Sequence, residues 1–234
     1  SKGAGVCKQY AQREPRFYAS VGYNGSVWHM LNADPEQKEE KDVQIFYYRD
    51  EQDGYKPGTY WLNTGIGVKK YVNPYDISDV DKSYDQSRIV AKAAPDIRYA
   101  EILLNYAEAL NEASGPVDDV YKYVNLIRKR SGLPGLKAGL SQDEMRQKIR
   151  RERQVELALE THRYFDCNRW KISDQVKAVH GMDIGARDNS FFKRTLVEER
   201  VFEAPKHYLW PFHQDEVNKN PDIFVQNPGW GGIN

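Results

Sequence analysis

The chain has 234 residues, and its 34 Lys and Arg balance 34 Asp and Glu, so the formal net charge is zero. That length suffices for one large domain or two small ones, and the charge balance excludes the global field that would attract nucleic acid or an anionic membrane surface. Hydrophobic residues make up 40% of the chain, as in a soluble globular protein, while aromatics reach 12% with 16 Tyr and 5 Trp, enough to ask which of them stay at the surface.

Residues 1–95 show little helical period. Short β-type runs, Val43–Tyr48 (VQIFYY) and Gly67–Val72 (GVKKYV), alternate with turn-rich pieces punctuated by Gly54, Pro57, Gly58, Asn63 and Gly65. This segment reads as a loop-rich lobe with a few short strands. From Asp96 to Ser114 the period becomes helical. One stripe is Ala100, Leu103, Leu104, Ala107 and Leu110, and a second is Tyr99, Ile102, Tyr106, Ala109 and Ala113. A helix apolar on two sides needs neighbours on both. Asp96 is the expected N-cap, and Gly115-Pro116 ends the helix and starts the next, over residues 117–131. The pair is an antiparallel hairpin of tetratricopeptide-like architecture, without the residue pattern of that repeat.

The third helix carries full start signals. Ser141 and Glu144 form a capping box, and Leu140 and Met145 a hydrophobic staple. It is expected to run to about Glu160, packed on the hairpin, with a further short helix over 162–170. Beyond Trp170 the chain returns to loops, with a strand-like apolar piece at Tyr208–Phe212 (YLWPF) and a Pro/Gly-rich tail. Three segments result, 1–95, 96–171 and 172–234, the last packing back on the helical scaffold as part of one structural unit.

The remaining exclusions are local. The basic run Arg146–Arg153 (RQKIRRER) lies in a helical pattern beside acids and reads as a salt-bridged or solvated face. The two cysteines, Cys7 and Cys167, form neither a metal spacing nor a disulfide framework. The five histidines show no metal-binding spacing, so no metal and no cofactor is assigned. No run approaches the ~18 apolar residues of a membrane span. The chain opens without Met or an apolar leader, and so reads as processed or excised from a longer one.

Met145, Ile149, Glu152 and Glu156 share one face of the third helix, with Glu160 at its edge. Two carboxylates therefore sit in a core-facing stripe, which is costly unless each is paired. One reading is catalytic: carboxyls on adjacent turns, at about 5–6 Å, could serve as an acid/base pair on a glycoside. The other is structural, with Arg150, Arg151, Arg153, Arg163 and Arg169 close in sequence to supply guanidinium partners.

Residues 98–110 (RYAEILLNYAEAL) and 152–170 (ERQVELALETHRYFDCNRW) closely resemble the two signature stretches of the SusD/RagB family of outer-membrane nutrient-binding lipoproteins. Weaker matches flank them in the expected order: Glu14–Phe17 (EPRF), His207–Pro211 (HYLWP) and Gln226–Trp230 (QNPGW). Thr161 stands where the family usually has Gly, and Cys167 where it usually has Leu. By length the chain resembles the C-terminal half of a member. The lipidated cysteine and the first helical repeats are expected in a preceding half.

The resemblance implies a mainly α, SusD-like fold of tetratricopeptide-like hairpins with a loop-rich lobe. It implies that Glu152, Arg153, Glu156, Glu160, Arg163, Asp166 and Arg169 form a structural ion-pair network tying helices together. It also implies a non-catalytic function at the bacterial cell surface: capture of an oligosaccharide, or a peptide, and delivery to a TonB-dependent transporter of the SusC type. Membrane attachment would come only through a lipid anchor outside this chain. A glycoside hydrolase using Glu152 and Glu156, and a peptide-binding helical-repeat protein, stand as the alternatives.

A sugar binder needs exposed aromatic faces, and loops on a rigid scaffold carry them. The loop-borne aromatics are Tyr23, Trp28, Tyr55, Tyr60 and Trp61, with Asn63, Asp53 and Lys56 as polar partners. The densest group is Gly54–Asn63 (GYKPGTYWLN), whose turn residues argue against a buried strand. Trp170, Trp210 and Trp230 fall in signature positions and read as structural.

Overall fold

A computed structural model describes residues 9–31, 40–51, 53–58, 62–72 and 95–231. It is mainly helical, with short two-stranded sheets. By contact the chain divides into two compact units: Ser1–Leu159 with Gly181–Arg194, and Glu160–His180 with Thr195–Asn234.

The first unit is built on three helices. Helices α2 (Tyr99–Ser114) and α3 (Asp118–Arg130) form the expected hairpin, and α4 (Gln142–Glu156) packs against α2. Leu104, Ala107, Val120, Val124, Met145 and Ile149 are fully excluded from solvent, which places the first apolar stripe of α2 in the core. Gly115, at φ 76°, turns the chain between the first two helices. The capping box of α4 is formed: the Glu144 amide donates to Ser141 Oγ, and the Ser141 amide to Glu144 Oε2 at 2.7 Å.

Two helix ends differ from expectation. Arg98, not Asp96, is the N-cap of α2, because extended backbone there sends its guanidinium to Glu156. Helix α4 stops at Glu156, four residues short of Glu160. Its last carbonyl and two just beyond it turn to side chains instead: Lys70 Nζ donates to Glu156 O and Ala158 O, and the Tyr71 hydroxyl to Leu159 O. A cation there also meets the negative end of the helix dipole. Leu159 and Thr161 then adopt left-handed backbone, at φ 67° and 66°. That conformation is costly for a β-branched residue and accounts for a glycine preference at position 161.

The rest of the first unit is loop-rich. Short helix α1 (Pro15–Ser20) leads into β1 (Val21–Gly22), which pairs antiparallel with β4 (Gly67–Val68). Strand β2 (Ser26–Leu31) pairs antiparallel with β3 (Glu40–Ile45). The expected run Gly67–Val72 is a strand for two residues only, since the chain turns at Lys69–Tyr71 to reach the end of α4. Segment 181–194 closes the lobe through Met182 N–H to Thr64 O, Arg49 N–H to Ile184 O, and the buried ring of Phe191.

The paired glycines Gly22 and Gly67 make room for Tyr47. A Cβ on either would lie within 3.2 Å of its ring or hydroxyl. Tyr47 is only 5% exposed. Burial, and secondarily the charge of Asp53, push its phenol up to about 12. The folded chain therefore keeps this proton while the unfolded chain loses it near pH 10. Stability fully present below about pH 10 should be lost as pH rises to about 12, by roughly 2–3 kcal/mol. Urea midpoints of the parent and of Tyr47→Phe, compared from pH 9 to pH 12, check this. Parallel curves for the two chains would remove Tyr47 as the cause.

The second unit contains α5 (His162–Arg169), the paired strands β5 (Ala178–Gly181, without its last residue) and β6 (Thr195–Glu199), and α6 (Gln214–Lys219). The Tyr208–Phe212 piece is not a strand. Lys206–Tyr208 form a 3-10 turn, and Pro211 has no N–H to donate. Side-chain amides replace the missing ladder. Gln226 accepts from Phe212 N–H at 2.8 Å and donates to Phe212 O at 3.0 Å, and Asn227 donates to Trp210 O. The Trp230 indole donates to Lys206 O and Leu209 O. The two C-terminal motifs thus form one clasp, although the Trp210 side of it faces solvent, with 76% of that residue exposed.

Candidate functional site

Two groups of residues could carry function: the carboxylates of α4 and the aromatics of the loop lobe. Glu152 and Glu156 are each 4% exposed. Arg16 bridges them, its Nη1 lying 2.6 Å from Glu152 Oε1 and 3.0 Å from Glu156 Oε2, while its Nη2 holds Glu14. Arg128 takes the second oxygen of Glu152 at 3.0 Å. Arg130 donates to both oxygens of Glu156 at 2.7 Å, and Arg98 donates to Glu156 Oε1 and to its backbone carbonyl. Burial alone would lower the Arg16 guanidinium pKa, but the hydrogen bonds and charges of Glu14, Glu152 and Glu156 outweigh it and raise it.

Every carboxylate oxygen of the pair therefore already accepts from a guanidinium. Such an arrangement holds elements together and keeps both buried carboxylates charge-paired. The cluster joins α1, the start of α2, the last turn of α3 and α4.

The arginines involved are not those nearest in sequence. Arg153 instead reaches Glu108 and Asn105 on α2. Asp166 is buried and pairs with Arg169 within α5, and Arg169 also lies over the Trp170 ring. Glu160, Arg163, Asp166 and Arg169 all belong to the second unit. Glu152, Arg153 and Glu156 belong to the first unit. Sequence reading did not pick out Arg16, Arg98, Arg128 and Arg130. Arg16 and Arg98 sit inside the recognised EPRF and RYAE motifs, which was the available signal.

Among the loop aromatics, Tyr23 packs in a ring cluster with Tyr10 at 4.5 Å, Phe17 at 5.3 Å and Tyr18 at 6.1 Å. Burial raises its phenol pKa. Trp28 is half-buried in β2, its indole donating to Ser26 Oγ, with Lys69 5.9 Å from its ring. Tyr55 is half-buried beneath Arg49, whose guanidinium lies 5.2 Å from the ring centre. Asn63 is exposed in a turn. Tyr60 and Trp61 lie outside the described residues. Asp53 is exposed and Lys56 half-buried on the same loop as Tyr55.

A groove of about 500 Å³ runs between α2 and α3, lined by Arg98, Tyr99, Ala100, Leu103, Leu126, Ile127 and Arg130. Among the described residues, none of the loop aromatics Tyr23, Trp28 and Tyr55 lines it. Among the described residues no group of three His, Cys, Asp or Glu is placed to hold a metal ion, and no helix is long and apolar enough to cross a membrane.

A family model described as the SusD family matches residues 1–230. SusD-like protein P2 of Formosa agariphila is 34% identical over 141 residues, covering 57% of this chain and 25% of P2. SusD-like protein P25 of the same organism is 37% identical over 101 residues, covering 40% of this chain and 18% of P25. The crystal structure of a SusD-like protein from Bacteroides fragilis superposes with a TM-score of 0.74 at 31% identity, over 96% of this chain and 40% of that one. A SusD homolog from Bacteroides thetaiotaomicron shares the fold, with a TM-score of 0.53 at 21% identity, over 93% of this chain and 41% of that one. The chain thus spans 25% of P2 and 40% of the Bacteroides fragilis protein.

Proposed function

Because this chain belongs to the SusD family, we propose that it contributes to non-catalytic capture of an oligosaccharide nutrient at the bacterial cell surface, for delivery to a TonB-dependent SusC-like transporter. The protein would sit on the outer membrane through a lipid anchor outside residues 1–234. Family membership carries this reading. The buried, charge-paired carboxylates support it against hydrolysis, since every oxygen of Glu152 and Glu156 is engaged by a guanidinium. They act as a scaffold clamp, and the loop lobe carries the ligand contacts.

The proposed contacts are Tyr55, Tyr60 and Trp61, with Tyr23, Trp28 and Asn63 beside them. Stacking of a sugar ring on one aromatic face contributes about 1–2 kcal/mol. The few rings available here suit an affinity near millimolar, about 4 kcal/mol. The test is affinity electrophoresis and calorimetry on a glycan and peptide panel, with product release assayed in parallel. Binding without turnover, reduced at least threefold in Trp61→Ala or Tyr60→Ala, is the expected result. Bond cleavage lost on Glu152→Gln would overturn the reading in favour of a hydrolase, and binding confined to peptides would replace the ligand class.

A further inference from the structure

Tyr55 is half-buried, and the Arg49 guanidinium lies over it, 5.2 Å from the ring centre. The stack covers a ring face that a neutral sugar would need. It also fixes how the guanidinium is presented. Stacking uses the flat face of the group and leaves its N–H donors in the plane for other acceptors. Arg49 is exposed. Among the described residues no carboxylate lies within ion-pair distance of it, and no acceptor takes a hydrogen bond from its side chain. That sets it apart from Arg16, Arg98, Arg128 and Arg130, which the α4 carboxylates engage.

The backbone of Arg49 is held from both sides. Its N–H donates to Ile184 O at 2.9 Å, and its carbonyl accepts from Arg187 Nη2 at 2.7 Å. Arg187 lies over the Tyr48 ring at 4.4 Å, and its Nη1 donates to Ile184 O and Gly185 O. The donors of Arg187 thus serve the loop backbone, with Glu51 3.9 Å away. Asp50, Glu51 and Asp53 balance Arg49, Lys56 and Arg187 in number, so this corner has no net field to draw an anion from a distance. Any selection for charge has to come from directed bonds at close range.

We propose that Arg49 and Tyr55 form one subsite that takes an acidic sugar unit, its anionic group held by the guanidinium fork and its ring lying beside the stack. A carboxylate or a sulfate ester offers the paired oxygens that such a fork binds. A neutral unit finds a ring face of Tyr55 already covered and the donors of Arg49 without a charged acceptor. This subsite presupposes that the loop lobe carries the ligand, and adds the class of sugar it takes.

Calorimetry on the whole chain tests it with three probes: uronate tetramers, the neutral tetramers made from them by carboxyl reduction, and a sulfated galactose tetramer. The uronate should bind about fivefold tighter than its reduced counterpart, the range of an exposed ion pair. Arg49→Ala should weaken uronate binding by about that factor and hold the neutral tetramer no less tightly, because it uncovers Tyr55. Arg49→Lys, which keeps the charge and loses the fork, should fall between. The melting temperature should stay that of the parent, since the side chain is exposed. A sulfated tetramer bound more tightly than the uronate, and weakened by Arg49→Ala, supports the subsite and assigns sulfate as its anion. A parent chain that prefers the neutral tetramer, or an Arg49→Ala variant that loses neutral and acidic probes alike, would overturn the acidic subsite while leaving glycan capture standing. A parent chain that binds none of the three would overturn capture by this lobe, and the subsite with it.

Discussion

Replacing Glu156 by alanine should lower stability by about 3–5 kcal/mol, the range for breaking a buried ion pair from one side. The carboxylate is 4% exposed and holds three guanidiniums, of Arg16, Arg98 and Arg130. Those three would not suffer equally. The Arg130 side chain is already 60% exposed and can turn to water. Arg16 at 12% and Arg98 at 27% are more enclosed. The cost therefore rests mainly on Arg16, which would keep Glu14 and Glu152 but lose the partner that balances its burial. Glu156→Gln should fall between parent and alanine, since the amide oxygen still accepts while the charge is gone. Urea denaturation at neutral pH measures all three. A midpoint unchanged in Glu156→Ala would mean that the cluster does not hold the unit together.

Phe191→Ala should cost a similar amount, about 3–5 kcal/mol, through the cavity left by a large buried ring. Phe191 is 1% exposed and among the largest fully buried side chains. It meets Tyr48 edge-on at 5.2 Å and Phe192 at 5.3 Å. Gly65 lies so close that a Cβ there would come within 3.0 Å of the ring tip. Its own backbone is pinned, with Asp183 N–H donating to Phe191 O and Asp188 capping the turn through Ser190 N–H. The ring thus backs the loops that carry Tyr55 and Asn63. Faster amide exchange over residues 44–67, out of proportion to global destabilisation, is the expected signature. Exchange that rises uniformly across α2–α4 as well would show that Phe191 supports no particular part of the fold.

The helical part of this fold was legible because its signals are local. Two apolar stripes, a Gly-Pro break and a capping box each lie within a few residues, and all three marked α2, α3 and the start of α4. The end of α4 was not legible, because Lys70 and Tyr71, which take its last carbonyl and two just beyond it, lie 86–88 residues away in sequence. The carboxylates showed themselves by falling on an apolar face, but their partners did not. Arg150 and Arg151 are near in sequence yet project from other faces of the same helix, while Arg16 arrives from 136–140 residues away. In the loop lobe no period exists to separate a buried ring from an exposed one. Tyr23, grouped by sequence with surface aromatics, packs among Tyr10, Phe17 and Tyr18.

The contact between Arg16 and Glu156 also sets an order of assembly. The two residues are 140 positions apart, whereas α2, α3 and α4 meet through connections of three and eleven residues. Closing the long loop carries the larger entropy cost and follows the local hairpin. During synthesis the arginine emerges first. At about 5–20 residues per second it must wait roughly 7–28 s for its carboxylate. Through that interval α1 and its neighbouring rings have no α4 to pack against, so nascent chains of this protein hold that surface open until residue 156 has been added.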